Sequence, residues 1–167
     1  MQDVKLAKAA LSDLPTISQL ASKIWNHYYP AIISQAQIDY MLHAMYDLPN
    51  LREQTEVKKH QFYLIKLLEK TVGFLSVSQA EPGHWFLHKF YLDQNLAGKN
   101  IGSISFRQLL IALEPSVVRL TVNRQNYKAI NFYFKCGFKI EKVEDFDIGG
   151  GYAMNDFVMV WEKATTV

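Results

Sequence analysis

The segment from Trp85 to Leu113 constrains this chain more than any other. An apolar run, Trp85 to Leu92, reads as a buried strand. The stretch Leu96-Ala97-Gly98-Lys99-Asn100-Ile101-Gly102-Ser103 follows, and it opens a helical pattern that continues through Leu113. Strand, short glycine-containing loop and helix in succession form a unit of a mixed α/β fold. They also make an anion-binding arrangement. The first N–H groups of a helix have no partner inside it, and the helix dipole adds partial positive charge there. Glycine lets backbone approach a ligand closely, and Lys99 supplies a full charge. The stretch is not a phosphate loop of the Gly-x-x-x-x-Gly-Lys-Ser/Thr type. Taken alone it reads equally as an ordinary turn.

The rest of the chain supplies partners for that unit. Val4 to Lys8 alternates as a first strand. Ser12 and Pro15 signal a helix start. Ile17, Leu20, Ala21, Ile24 and Trp25 then recur at helical spacing. Pro30 interrupts this helix near Tyr29, and Ser34 caps a second helix with Ile38, Met41, Leu42 and Met45 on one face. Asp47 to Glu56 is polar and reads as loop or frayed helix. Gln61 to Leu68 and Val72 to Gln79 read as strands, and Glu81-Pro82-Gly83 as a turn. Val117 to Val122 is a strand, and Asn126 to Cys136 a helix whose C-terminus is suited by Gly137. Phe138 to Phe146 and Tyr152 to Trp161 form a closing hairpin around Gly149-Gly150-Gly151. The order β-αα-βββ-α-β-α-ββ is an α/β domain with a mixed sheet, and one domain spans residues 1–167.

Composition excludes several classes. Hydrophobic residues make up 49% of the 167, and a chain of this length buries roughly 70% of its unfolded surface. The net charge of +2, with scattered basic residues, argues against a nucleic-acid partner. Cys136 is the one cysteine, so neither a disulfide framework nor a cysteine metal site is expected. The five histidines show no ligand spacing, so no metal is expected. No apolar run approaches the ~18 residues of a membrane span, and the N-terminus lacks a signal-peptide pattern. A cytoplasmic protein with no membrane partner is the expectation.

A second stretch is more specific: Val122-Asn123-Arg124-Gln125-Asn126-Tyr127-Lys128-Ala129-Ile130-Asn131-Phe132-Tyr133-Phe134-Lys135-Cys136-Gly137-Phe138. With Leu96 to Ser103, it resembles the GNAT family of N-acetyltransferases, whose cosubstrate is acetyl-CoA. The element order is similar to that family's fold. The resemblance implies that Ala97, Gly98, Lys99, Asn100, Ile101, Gly102 and Ser103 cradle the pyrophosphate. Ala97 stands where the family has Arg or Gln, and Asn100 where it has Gly. Asn is the non-glycine residue best suited to positive φ. The resemblance further implies that the strand before the loop splays from the next. Phe90, Tyr91 and Leu92 would then face Asn123 across the arm of the cofactor. Asn126 would bond that arm, and Lys135 would meet its phosphate end. Tyr133 would donate a proton to the departing thiolate.

The family's strand Glu is missing here. His88, at an ordinary pKa near 6.5, is either the general base or a packed side chain. On a regular strand Phe86, His88, Phe90 and Leu92 would share one face. By resemblance the first helices and the last hairpin line the acceptor site. That brings in Trp25, Tyr28 and Tyr29, with Glu144, Asp145, Asp147 and Asp156 opposite. Aromatics with carboxylates suit a cationic small-molecule amine, polyamine or amino-acid-like. The resemblance thus implies acetyl transfer to a primary amine by direct attack in a ternary complex. The alternative is a non-catalytic acyl-CoA-binding module on the same fold. A homodimer is also implied.

Overall fold

The computed structural model describes residues 3–96 and 99–164. Strand β1 (Val4–Lys8) leads through a 3-10 turn, Leu11–Asp13, into α1 (Leu14–Tyr28). That turn moves the helix start past the expected Ser12 cap. Asp13 instead takes a hydrogen bond from Ala10 N–H at 2.8 Å. Pro30 sits in a second 3-10 turn, Tyr29–Ala31, that ends α1. Helix α2 (Gln35–Tyr46) is capped by Ser34, whose Oγ accepts from Gln37 N–H. The polar segment expected as loop or frayed helix is a regular helix, α3 (Leu48–Glu56). Asp47 caps it by accepting from Asn50 N–H at 2.9 Å, and Pro49 sits in its first turn. Its apolar face is narrow: Leu51 is fully buried, and Gln54 is its other buried residue. The helical count before the second strand is therefore three rather than two.

Strands β2 (Gln61–Leu67), β3 (Lys70–Glu81) and β4 (His84–Leu92) form a meander. Helix α4 (Ile101–Leu113), β5 (Val117–Asn123), α5 (Tyr127–Lys135), β6 (Lys139–Gly149) and β7 (Tyr152–Glu162) complete the chain. The seven strands lie in the order β1-β2-β3-β4-β5-β7-β6. Only β4 and β5 pair in parallel, because α4 crosses over between them.

Alternation along the strands divides the core in two. Leu75, Val77, Leu87, Leu120 and Met159 pack with α4 and α5 on one face, around Ile101, Phe106 and Leu109. Phe62, Leu64 and Phe74 pack with α1, α2 and α3 on the other, around Ile17, Trp25, Ile38 and Leu51. The closing hairpin bends over α2. Gly149, Gly150 and Gly151 all take positive φ at its tip. Tyr40 Oη, packed against that tip, donates to Ile148 C=O at 2.9 Å.

Candidate active site

Two irregularities in β4 make the site. The first is a bulge. Ser76 pairs with Lys89 and Val77 with Leu87, so His88 is an extra residue on β4. A bulge puts two residues opposite one and breaks the alternation. Trp85 and Leu87 belong to the α4/α5 face before it, and Phe90 and Leu92 pack on that same face after it. The expectation that Phe86, His88, Phe90 and Leu92 share a face is thereby corrected. His88 and Lys89 both turn toward the α1–α3 side.

The second is the end of pairing with β5. The parallel ladder runs from His84↔Val117 to Leu87↔Leu120 and stops there. Beyond it β4 continues through Leu92 and β5 through Asn123. Phe90, Tyr91 and Leu92 thus face Thr121, Val122 and Asn123 across an opening between the strands. Backbone groups in such a gap need other partners. The opening widens into a cleft of about 1120 Å³. Sites for one small ligand run to roughly 300–1,000 Å³, so this cleft has room for two reactants.

The α4/α5 side of the cleft carries the described part of the loop expected to bind an anion. Asn100 precedes α4 with φ 56° and ψ 8°, the left-handed conformation expected of it. Its carbonyl accepts from Ile104 N–H at 3.0 Å, and the first N–H groups of α4 have no acceptor within the helix. Gly102 is buried there, and a Cβ on it would lie 3.0 Å from the Phe132 ring and 3.3 Å from Leu92. The absent side chain lets the start of α4 sit against α5 and the end of β4. Lys99, Ile101, Ser103 and Lys135 also line the cleft. Ala97 and Gly98 lie outside the described residues.

Asn126 caps α5: its Oδ1 accepts from Ala129 N–H at 3.2 Å and from Tyr28 Oη at 2.6 Å. The second bond ties the end of α1 across the cleft to the start of α5. Tyr133 lines the cleft from α5. Its ring packs on Phe132 and Phe138 at 5.4 and 5.5 Å between centroids. Its carbonyl accepts from Phe138 N–H at 3.0 Å, while Gly137 N–H bonds Phe134 C=O and Gly137 takes φ 95°. This is a Schellman end, and it fixes Tyr133 from behind. Burial raises the Tyr133 hydroxyl well above the usual tyrosine range, with Tyr29 adding to it. The phenol therefore stays protonated and able to donate. Burial raises the proton affinity of a thiolate in the same place too.

The α1–α3 side differs in kind. Trp25 stacks on Tyr29 at 4.3 Å, and Tyr28 meets Tyr29 edge-on at 5.5 Å. All three line the cleft, with Met41, Met45 and Met154. Of the expected carboxylates, Glu144 pairs with Lys142 and Asp145 with Arg124, at 2.7 and 2.6 Å. Asp147 accepts from Gly149 N–H in the hairpin turn. Asp156 stands apart. It is 5% exposed, and its Oδ1 has no hydrogen-bond partner among the described residues. Burial pushes its carboxyl up to about 6, against the Thr121 hydroxyl and Arg124, which pull it down.

His88 also lines the cleft, but it is engaged. Its Nε2 lies 2.7 Å from Ser78 Oγ, and its ring stacks on His60 at 3.9 Å. Burial first, then His60 and Lys89, lower it to about 3. An imidazole so resistant to protonation is a weak proton acceptor, which favours the packed reading. Lys89 carries no signal as sequence, since a lone Lys in an apolar run looks like an interruption. It is 5% exposed, donates to Gln54 Oε1 at 2.6 Å and lies over the Tyr46 and Phe62 rings. Burial lowers it to about 8, with Lys58 adding to the effect. Among the described residues no group of three or more His, Cys, Asp or Glu side chains converges as a metal site would. No described helix is long and apolar enough to cross a membrane.

Comparison with known proteins agrees with this geometry. The model of the acetyltransferase (GNAT) family matches residues 20–138. The spermidine N(1)-acetyltransferase of Thermoplasma acidophilum is 27% identical over 161 residues, covering 86% of this chain and 93% of the relative. The fold is similar to that of the PaiA N-acetyltransferase from Thermoplasma acidophilum, solved with coenzyme A. The TM-score is 0.79 at 24% identity, over 96% of this chain and 99% of that one. It is similar also to a GCN5-related N-acetyltransferase from Rhodopseudomonas palustris, with TM-score 0.77 at 16% identity over 98% of both chains. With a family model spanning most of the chain and a site built on splayed strands, this protein belongs to the GNAT family of acetyltransferases.

Proposed function

We propose that this chain transfers the acetyl group of acetyl-CoA to a primary amine of a small cationic molecule, with both reactants held in the cleft. The observation that carries the reading is the gap between β4 and β5, with Tyr133 on one side and the aromatic chamber around Trp25 and Tyr29 on the other. Phe90, Tyr91 and Leu92 with Asn123 would hold the extended arm by backbone, and Asn126 would add its side chain. The start of α4, Lys99 to Ser103, together with Ala97 and Gly98, would take the pyrophosphate. Lys135 would take the phosphate end. The residues present fit that group: Gly102 lets the start of α4 pack against Phe132 and Leu92 beside the cleft, and Lys99 lines the cleft next to it. Acetyl-CoA brings the activated acyl thioester; the chain brings orientation, dry surroundings and proton transfer.

The amine must be neutral when it attacks, and the sulfur must leave with a proton. Tyr133 would supply that proton: its hydroxyl is neutral, and the Schellman end behind it holds its backbone. Much of the rate would come from holding the two reactants together. The aromatic rings suit a cation, and the similarity to a spermidine acetyltransferase makes spermidine the first acceptor to try.

The test is calorimetric titration with acetyl-CoA, then a panel of amines headed by spermidine, with products read by mass spectrometry. One-site micromolar binding and acetylated amine are expected. Tyr133→Phe should lower turnover by about 10²-fold or more while acetyl-CoA binding stays near normal. Absence of acetyl-CoA binding would overturn the reading, and tight binding without turnover of any amine would make the chain a binding module.

A further inference from the structure

We propose that Asp156 is the group that receives the acceptor amine, holding it as the ammonium and taking its proton before attack on the acyl carbon. This rests on the transferase reading above and assigns a role that His88 does not fill.

The argument starts from the sheet. Asp156 on β7 pairs with Asn123, the last residue of β5, so it stands one strand from the opening. Neighbouring strands are about 4.7–4.9 Å apart. Met154, Asp156 and Val158 alternate on one face of β7, and all three line the cleft. Met154 packs with the α1–α3 cluster, so Asp156 points to the chamber of Trp25 and Tyr29. Its charge reaches Tyr29 there.

A carboxylate at 5% exposure with an oxygen lacking any partner among the described residues is costly. The nearby groups satisfy it only in part: the Thr121 hydroxyl favours the ionised form, but Oδ1 keeps no partner among the described residues. Arg124 is engaged with Asp145, Glu144 across β6 with Lys142, and Tyr29 is a neutral phenol. A cationic ligand would supply the missing partner. The carboxyl, held at about 6 by burial, is ionised at neutral pH yet more basic than an ordinary aspartate. That is the property wanted in a general base.

The proton balance is complete without another reactant. The ammonium gives one proton to Asp156 and becomes a neutral amine. Its nitrogen bonds to the acyl carbon, the C–S bond breaks, and the sulfur takes the proton of Tyr133. The nitrogen loses its second proton and Tyr133 regains one, so the products are the amide, the thiol and one proton to solvent.

The experiment compares the intact protein with Asp156→Asn, a near-isosteric change, using acetyl-CoA and spermidine across pH 5 to 10. Calorimetric binding of acetyl-CoA reports that the variant is folded and its cofactor side intact. For the unaltered protein kcat/KM should level off above about pH 6. For Asp156→Asn it should be lower by about 10²-fold at pH 7 and climb tenfold per pH unit toward the amine's own pKa near 10, because solvent must then remove the proton. An unchanged rate and profile in Asp156→Asn would overturn the proposal. So would a uniform loss at every pH, which would make Asp156 an anchor only. If Asp156→Asn fails to bind acetyl-CoA, the unaltered protein decides alone: a rate still climbing tenfold per unit from pH 7 to 9 overturns the proposal. If the unaltered protein binds acetyl-CoA but acetylates no amine, the transferase reading falls and this inference with it.

Discussion

The two faces of the sheet are built to different standards. The α4/α5 face buries Ile101, Phe106, Leu109, Leu120 and Met159. Two of its buried hydroxyls find partners: Ser105 donates to Ile101 C=O at 2.8 Å and Tyr63 to Gln61 Oε1 at 3.1 Å. The α1–α3 face holds every buried side-chain atom without a partner among the described residues: Trp25 Nε1, Tyr46 Oη, His60 Nδ1, Ser76 Oγ and Asp156 Oδ1. It also holds the desolvated Lys89. Buried polar atoms are normally paired, so such a concentration marks a place where stability is given up. The apolar face supports the sheet and the start of α4. The polar-rich face forms the wall of the chamber in which the proposed amine would lie.

The comparison breaks most visibly through the apolar face. Leu109→Ala should lower stability by about 2–5 kcal/mol, the range for a buried leucine, as read from urea midpoints. Acetyl-CoA affinity per folded molecule should stay unchanged, since Leu109 does not line the cleft.

Asp156→Asn should act in the opposite direction. The folded carboxyl is raised from its ordinary 3.8 to about 6. The folded state therefore disfavours the ionised form, and the penalty is present in full above pH 6. Removing it should stabilise the ligand-free protein by up to about 3 kcal/mol at pH 8, at 1.36 kcal/mol per unit. That gain should shrink as pH falls from 6 to 4, where both states protonate the native carboxyl. Thermal melts at pH 8 and pH 4.5 check it, and equal melting temperatures at pH 8 would remove the strain argument.

Smaller effects test whether the polar-rich side is weak in general. Ser34→Ala removes the α2 cap and should lower stability by about 1 kcal/mol, the ordinary value for such a cap, by urea denaturation. At the rim, Arg119 makes a two-pronged pair with Glu141 at 2.9 Å, both side chains more than a third exposed. Arg119→Ala should change stability by less than about 1 kcal/mol, and the difference should fade in 0.5 M salt. A larger change at either site would mean that the contrast between faces extends beyond the chamber.

Local signals carried much of this. The boundaries of α4 are those of its apolar pattern, Ile101 to Leu113. Asn126 at a cap, Gly137 past a helix end and Asn100 at positive φ follow from conformational preferences confined to a few residues. The residues expected on the cofactor side that fall within the described chain, and Trp25, Tyr28 and Tyr29, all line one cleft. Helix α3 is hard to read in the sequence because its face is one leucine wide, although Asp47 and Pro49 mark its start.

Neighbours along the chain settle most of the elements, most of the caps and most of the residues gathered at the opening; the start of α1 and all of α3 are the exceptions. Only the tertiary structure decided which way those residues face. One extra residue, His88, reverses the alternation of β4, and no periodicity in the sequence marks where a bulge will fall. The same holds for charge. Lys89 is buried because Gln54 of α3 and two aromatic rings meet it there. Asp156 differs from Glu144, Asp145 and Asp147 in being buried, with one oxygen left without a partner among the described residues. Pairing and desolvation belong to contacts between distant segments, and they separate one buried acid from three more exposed ones.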